Sequence, residues 1–385
     1  MIGIKGGKIY TITNGIIKNG VILVQGNKII DIGKDIKVPK DAEVIDASDK
    51  IIMPGLIDAH CHTGLDEEGI GFEGRDSNEI VDPVTPHFRV IDGINPEDPG
   101  IKESLESGIT TVCVLPGSVN VIGGQGAVLK TYGKIVDEMI IKEPAALKVG
   151  FGENPKKGYK DLKKSPRTRM AIAAILRENL TNAINYMRKL EIGKNYPEKM
   201  PDIDLKMKAL MKVLNRKIPL RAHAHRADDI MTAIRISKEF NVDIVIEHAT
   251  EGYKIAKELA KNNIDVVVGP LYSSRTKYEL RDLNIKSPSI LTNIGVNVSL
   301  MTDHPVIPEK YLLREAMLAV KGGLNKENAL KTVTINPAKT LKLQDRIGSL
   351  EIGKDADIII MSGDPFSMDT EVHKVLVNGK IAVDK

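Results

Sequence analysis

Between residues 54 and 345 the chain repeats one pattern: a short apolar run of strand length, then a longer segment of helical character. The runs GLIDAH, TTVCVL, ALKVGF, IPLRAH, DIVIEH, IDVVVG and NVSLMT are clear strands, and a weaker one lies near AVLKTY. Helical periodicity covers 165–190, 228–240, 252–262, 310–321 and 326–334. The first of these helices is expected to begin at Ser165-Pro166, a capping serine with proline at the first helical position. Strands separated by helices must run parallel, because each helix carries the chain back to the starting edge of the sheet. Eight such units predict an α/β fold, a (β/α)8 barrel of TIM type, whose chemistry sits at the C-terminal ends of its strands. A doubly wound open sheet shows the same alternation and stays open on pattern alone.

Both ends have a different texture. KIYTIT, VILVQ, KIIDIG and AEVIDA are short β-branched runs, with Gly26-Asn27 placed for a tight hairpin. The tail returns to strands in IGSLEIGKDADIIIM and VHKVLVNGKIAV, where Asn378-Gly379 marks another hairpin. Residues 1–53 and 346–385 are therefore expected to pair into one small β-sandwich domain beside a barrel spanning 54–345. No apolar run approaches the roughly 20 residues of a membrane span, and MIGIKGGKIYTITNG does not read as a signal peptide. Cys61 and Cys113 are too few and too differently placed for a disulfide framework, so a reducing, cytoplasmic setting is expected. A net charge of +4 spread over scattered lysines, with 4% aromatics and no Trp, argues against nucleic acid and for a small-molecule partner. The protein is expected to work as a homo-oligomer.

The chain has eight histidines, and His60, His62, His223, His225 and His248 all fall at or just past the end of an apolar strand. Asp303 ends another in NVSLMTDHP, and Glu153 follows a fourth in LKVGFGENP. Residues i and i+2 of an extended segment share a face, so His60 and His62 can reach one ion. Polar residues closing a strand are common, and an H-x-H alone says little. Imidazoles and carboxylates from separate strands meet at one point only if those strands are neighbours in a barrel. That donor set suits one or two divalent ions, zinc first, with iron, manganese or nickel also compatible.

PGLIDAHCH resembles the metal-binding signature that opens the barrel in the amidohydrolase superfamily, and GSLEIGKDADIIIM resembles its closing segment. FGENP, RAHAHR, IEHATEG and MTDHP occur between them in the expected order, and NVIGGQGAVLKTYG is similar to the imidazolonepropionase-like group. The resemblance implies that His60, His62, His223, His248 and Asp303 hold the metal. It also implies a bridging ligand after the third or fourth strand, for which Glu153 is favoured over a carboxylated Lys148. His225 can replace His223 as ligand, hold substrate or orient a ligand from behind. His304 is expected to point away from the site.

The implied reaction is hydrolysis of a carbon–nitrogen bond, an amide or cyclic amide, with Asp303 as general base and then acid toward metal-activated water. A dipeptidase or deaminase on the same scaffold is the alternative. A non-catalytic binding relative would be expected to lack ligands, and here every expected position holds a competent residue. Substrate contacts are expected from Asn120 and Gln125 in the glycine-rich PGSVNVIGGQG and from Tyr272 and Arg275 in GPLYSSRTKYELR, where Lys277 also lies. Arg226 and His87 complete the expected set, the arginines being suited to a substrate carboxylate.

Overall fold

The computed structural model describes all residues, 1–385. Eight strands form the central sheet: β1 (Leu56–Cys61), β2 (Ile109–Val114), β3 (Ile122–Lys130), β4 (Ile140–Gly150), β5 (Leu220–Ala224), β6 (Ile244–His248), β7 (Asp265–Val268) and β8 (Val298–Leu300). They are hydrogen-bonded in chain order. The last strand returns to the first without a regular ladder. Backbone bonds just past the strand ends close the seam, from His62 N–H to His304 O at 2.9 Å and from Asp303 N–H to His60 O at 3.3 Å. Asp58 reinforces it by accepting from both the N–H and the hydroxyl of Thr302, at 3.0 and 2.6 Å.

The eight-stranded barrel with surrounding helices agrees with the sequence reading, with one departure. β3 runs antiparallel to both β2 and β4, so β2, β3 and β4 form a meander. Residues 115–121 and 131–139 are too short to carry a full crossover helix, and short connections give antiparallel neighbours. The stretch IGGQG, read from sequence as loop, is the first half of β3. Glycine carries no apolar period and so hid the strand. At Gly126 its smallness is required, since an added Cβ would lie 2.3 Å from Leu115 Cδ2 and 2.8 Å from Val114 O.

The long helix spans Arg169–Asn195, not 165–190. Its cap is Thr168, whose hydroxyl accepts the Ala171 N–H at 3.1 Å, so Ser165-Pro166 lies in the approach. The helices Ala227–Phe240, Ala256–Lys261, Leu312–Lys321 and Lys326–Lys331 follow the periodic segments. Pro99–Glu106 and Leu205–Leu214 were not expected.

Beside the barrel lie two further sheets. One has four strands drawn from residues 2–46. The other has six and mixes the two ends of the chain: Ile358–Met361 pairs antiparallel with Ile51–Pro54. Ile4, Ile22 and Ile29 of the first sheet pack in one core with Ile52, Ile358 and Leu376 of the second. Gly55 leads from this sheet directly into β1, where an added Cβ would sit 2.1 Å from Thr110 Oγ1. No helix is long and apolar enough to cross a membrane.

Lys130, at the end of β3, is 1% exposed and pairs with Asp357 and, at 3.3 Å, with Asp355 of the C-terminal segment. Removing one member of a buried ion pair strands its partner's charge. Lys130→Met is therefore expected to cost about 3 kcal/mol of stability, read from urea unfolding.

Candidate metal centre

Two clusters of donors face each other at the C-terminal mouth of the barrel. In one, Asp303 Oδ1 lies 3.1 Å from His60 Nε2 and 3.4 Å from His62 Nε2. In the other, His223, His225 and His248 offer ring nitrogens within 4.8 Å of one another. The rings of His60 and His248 are 5.6 Å apart between centroids, so the clusters adjoin. Backbone geometry assists at two strand ends. His248 and Asp303 hold positive φ, 67° and 55°, bends that end the extended run where the side chain must enter the mouth.

Most of the imidazoles have one nitrogen already engaged. Nδ1 of His62 bonds Leu115 O at 2.7 Å, and Nδ1 of His248 bonds Gly269 O at 2.9 Å. Nδ1 of His225 meets Thr250 Oγ1 at 2.8 Å, and Nδ1 of His60 meets Glu247 Oε2 at 2.7 Å. A carbonyl only accepts, so His62 and His248 carry their proton on Nδ1 and turn a lone pair toward the mouth. His223 differs, with Nε2 lying 3.3 Å from Asn154 Nδ2. Burial drives the pKa of His248 down to about 4, and burial followed by the charge of His248 holds His223 and His225 well below their ordinary values. Burial pushes the Asp303 carboxyl up, but its neighbours His248, His60 and His62 outweigh it and hold the carboxyl well below its ordinary value. Imidazole nitrogens gathered around a carboxylate are the donor set of a divalent metal. His225 Nε2 is buried without any partner, an uncompensated lone pair or N–H that a metal or a substrate group would satisfy.

Lys148 is the β4 residue that reaches this site. β4 begins at Ile140 and not near ALKVGF, so Lys148 stands close to its C-terminal end, with Nζ 3.2 Å from His60 Nε2. Burial lowers its pKa to about 8. Glu153, favoured from the sequence as bridging ligand, lies outside both clusters. Gly152, at φ +79°, turns the chain over the rim into the short helix Glu153–Gly158. The Glu153 carboxylate there accepts the Glu279 N–H at 3.1 Å, while its own N–H donates to Glu279 Oε2 at 3.0 Å.

The cavity over the clusters measures about 240 Å³, and only three of its 20 lining residues are hydrophobic. His62, His223, His225, His248, Lys148 and Asp303 form its floor, and Asn154, Ser273, Thr276 and Lys277 stand in its wall. The other expected substrate contacts are elsewhere. Asn120 is tied up between Thr85 and Tyr159, and Gln125 between Pro86 O and Lys212. Arg226 is paired with Asp228, and Arg275 donates to the carbonyls of Arg281 and Leu283. Tyr272 is 68% exposed, and His87 packs edge-on against Phe88. None of the six lines the cavity. Proximity to a strand end was legible, but not which way each side chain leaves it. Glu279 was missed altogether: it is buried, 3.6 Å from His225 Nε2 and 3.8 Å from His223 Nε2, and arrives on the single 3-10 turn Tyr278–Leu280, which has no distinguishing pattern. Glu247 and Arg221 were missed despite a signal, a charge inside each of two otherwise apolar strands.

A barrel whose mouth gathers five histidines and a carboxylate has the donors to hold a divalent ion. Residues 51–382 match the amidohydrolase family, and the chain belongs to it, a family of enzymes acting on carbon–nitrogen bonds. Among solved structures it is similar to an amidohydrolase from Thermotoga maritima MSB8, with 47% identity, TM-score 0.98 and 100% of each chain covered. Amidohydrolase tasK of Hapsidospora irregularis is 27% identical over 372 residues, 90% of this chain; the match spans only 38% of that protein's length. An imidazolonepropionase of Alkaliphilus metalliredigens (strain QYMF) is 24% identical over 408 residues, covering 96% of this chain and 92% of the other.

The depressed His248 has a consequence for the metal-free protein. Between pH 6.5 and about 4 the unfolded chain takes up a proton that the folded imidazole refuses, so stability falls as pH falls. The contribution of His248 is roughly 3 kcal/mol across that window. Glu315, raised by burial to about 7, acts in the opposite sense from pH 4.5 to 7 and is common to native and variant chains. Urea titrations of chelated protein are expected to show a shallower pH slope in His248→Asn than in the native chain.

Proposed function

We propose that this chain is a metal-dependent amidohydrolase that cleaves the carbon–nitrogen bond of a small, polar, acid-bearing amide or cyclic amide. The observation that carries the reading is an ionised Asp303 within 3.4 Å of both His60 and His62, next to three further histidines in one cavity. His60 and His62 with Asp303, and His223 with His248, would hold the ion or ions. A bound divalent ion supplies Lewis acidity, polarising the scissile group and lowering the pKa of water.

The chain's own residues supply the rest. Asp303 accepts the proton of the attacking water at its carboxylate and returns it to the departing nitrogen. Lys148, its amine partly neutral near pH 8, is the form that adds carbon dioxide, losing a proton to give a carbamate whose oxygens can join the ligand set. Lys277 Nζ, which donates to Asn154 Oδ1 at 3.0 Å and is ion-paired with Glu279 at 2.7 Å, stands in the cavity wall where it can meet a substrate carboxylate, the role first expected of the arginines. The wall's polarity and the modest volume favour a compact polar substrate over a bulky apolar one.

Elemental analysis is expected to give at least one equivalent of transition metal per chain. Less than about half an equivalent, with no turnover restored by zinc or manganese, rules the proposal out. Asp303→Asn should keep most of the metal and lose roughly 100- to 10,000-fold in kcat on whichever substrate emerges from a panel of cyclic amides, N-acyl amino acids and dipeptides. Lys148→Ala is expected to lower metal content where Glu153→Gln leaves it unchanged. The opposite pattern would return the bridging role to Glu153.

A further inference from the structure

Beneath the mouth, β5 and β6 bury two opposite charges that the proposed chemistry does not use. Arg221 is 1% exposed and Glu247 is fully buried. Taking such a pair out of water costs several kcal/mol per ion, and apolar residues of similar size commonly serve stability as well. The contacts suggest what the pair does instead. Glu247 Oε1 accepts from Arg221 Nε–H, and Glu247 Oε2 lies 2.7 Å from His60 Nδ1. Arg221 Nη2 also donates to Ala59 O at 2.7 Å, the carbonyl immediately before His60. One guanidinium thus grips both the carboxylate behind the ring and the backbone that carries the ring. The opposite edge of the same imidazole faces the mouth, with Nε2 3.1 Å from Asp303 Oδ1 and 3.2 Å from Lys148 Nζ.

We infer that Glu247, clamped by Arg221, is the positioning residue that fixes His60 in one tautomer and one ring orientation as an Nε2 metal donor. The inference rests on the metal-site reading above. A carboxylate behind Nδ1 places the proton there and leaves the Nε2 lone pair for the ion. His62 and His248 receive the same instruction from neutral carbonyls, whereas His60 receives it from an anion, which also makes its ring the more basic donor. Arg221 does more than balance the charge. Its Nε–H holds Oε1 while its Nη2 is anchored on Ala59 O, which leaves Oε2 turned toward the ring.

Two variants test this through metal affinity. In Glu247→Gln the amide faces two donors, Arg221 and His60 Nδ1–H. Its single oxygen goes to the charged guanidinium and its NH2 is left against the ring, which selects the Nε2–H tautomer that cannot ligate. Glu247→Asp keeps the charge and the Arg221 pair but withdraws the carboxylate from Nδ1 by about one C–C bond, roughly 1.5 Å. Zn(II) affinity, measured by chelator competition, is expected to fall 10- to 100-fold in both variants. The visible spectrum of the Co(II)-loaded protein is expected to change with it. Lys130→Met serves as control: it should lower stability yet leave Zn(II) affinity unchanged. A folded Glu247→Asp chain that binds Zn(II) as tightly as the native chain, with the same Co(II) spectrum, overturns the inference even if Glu247→Gln does not fold. If the native chain itself takes up no metal, the reading of the site fails before the role of Glu247 is reached, and the two failures are told apart.

Discussion

The seam where the last barrel strand meets the first is the constraint from which the site follows. No regular ladder joins β8 to β1, so the barrel closes through a few bonds, and the residues that make them include all three members of the first donor cluster. His60 O receives the Asp303 N–H, and His62 N–H reaches His304 O. The backbone contact that completes the cylinder is also the contact that brings the Asp303 carboxylate against two imidazoles. Fold closure and site assembly are therefore one event, and a chain that failed to close would have a first strand bearing histidines with nothing opposite them.

Burying so many polar groups in one mouth is stable only because each has a defined partner. Burial opposes protonation of His223, His225 and His248, and most of the imidazoles have one nitrogen committed to a partner from another segment. Charges that stay charged occur as pairs: Arg221 with Glu247 inside the barrel, Lys130 with Asp357 where β3 meets the C-terminal segment. The exceptions are informative because they are few. His225 Nε2 and, 3.6 Å from it, Glu279 Oε1 are buried without hydrogen-bond partners beside the cavity, which is where an incoming ligand gains most.

Much of this was legible in the sequence, and the limits have physical causes. Strands that end in histidine or aspartate announced both the barrel and its mouth, because apolar runs and polar terminators are local properties. The hairpins at Gly26-Asn27 and Asn378-Gly379 were equally local, and both connect antiparallel strands as expected. Strand direction was not local: a meander and a crossover differ in connection length, and glycines in β3 blurred where the connection ended. At the start of β4 it was Lys142, Glu143 and Pro144 that hid the strand, which made Lys148 look remote and Glu153 look well placed. Side-chain direction was lost for a related reason. Asn120 and Gln125 follow β2 in the glycine-rich stretch, but their partners Thr85, Tyr159, Pro86 and Lys212 lie on other segments that no short window of sequence contains.

The sheet that joins the two ends of the chain bears on the order in which the molecule can be made. Strand Ile51–Pro54, which feeds β1, has Ile358–Met361 as a neighbour, and their pairing spans about three hundred residues of intervening chain. During synthesis the first strand emerges long before that neighbour exists, and before Asp303 exists to close the seam. Contacts of such high sequence separation form late, after loop entropy has been overcome by local structure. The histidines of β1 must therefore wait, exposed and without their carboxylate, until nearly the whole chain has been released. A metal ion present at that stage would meet an incomplete ligand set, so the topology itself delays tight capture until the fold is complete.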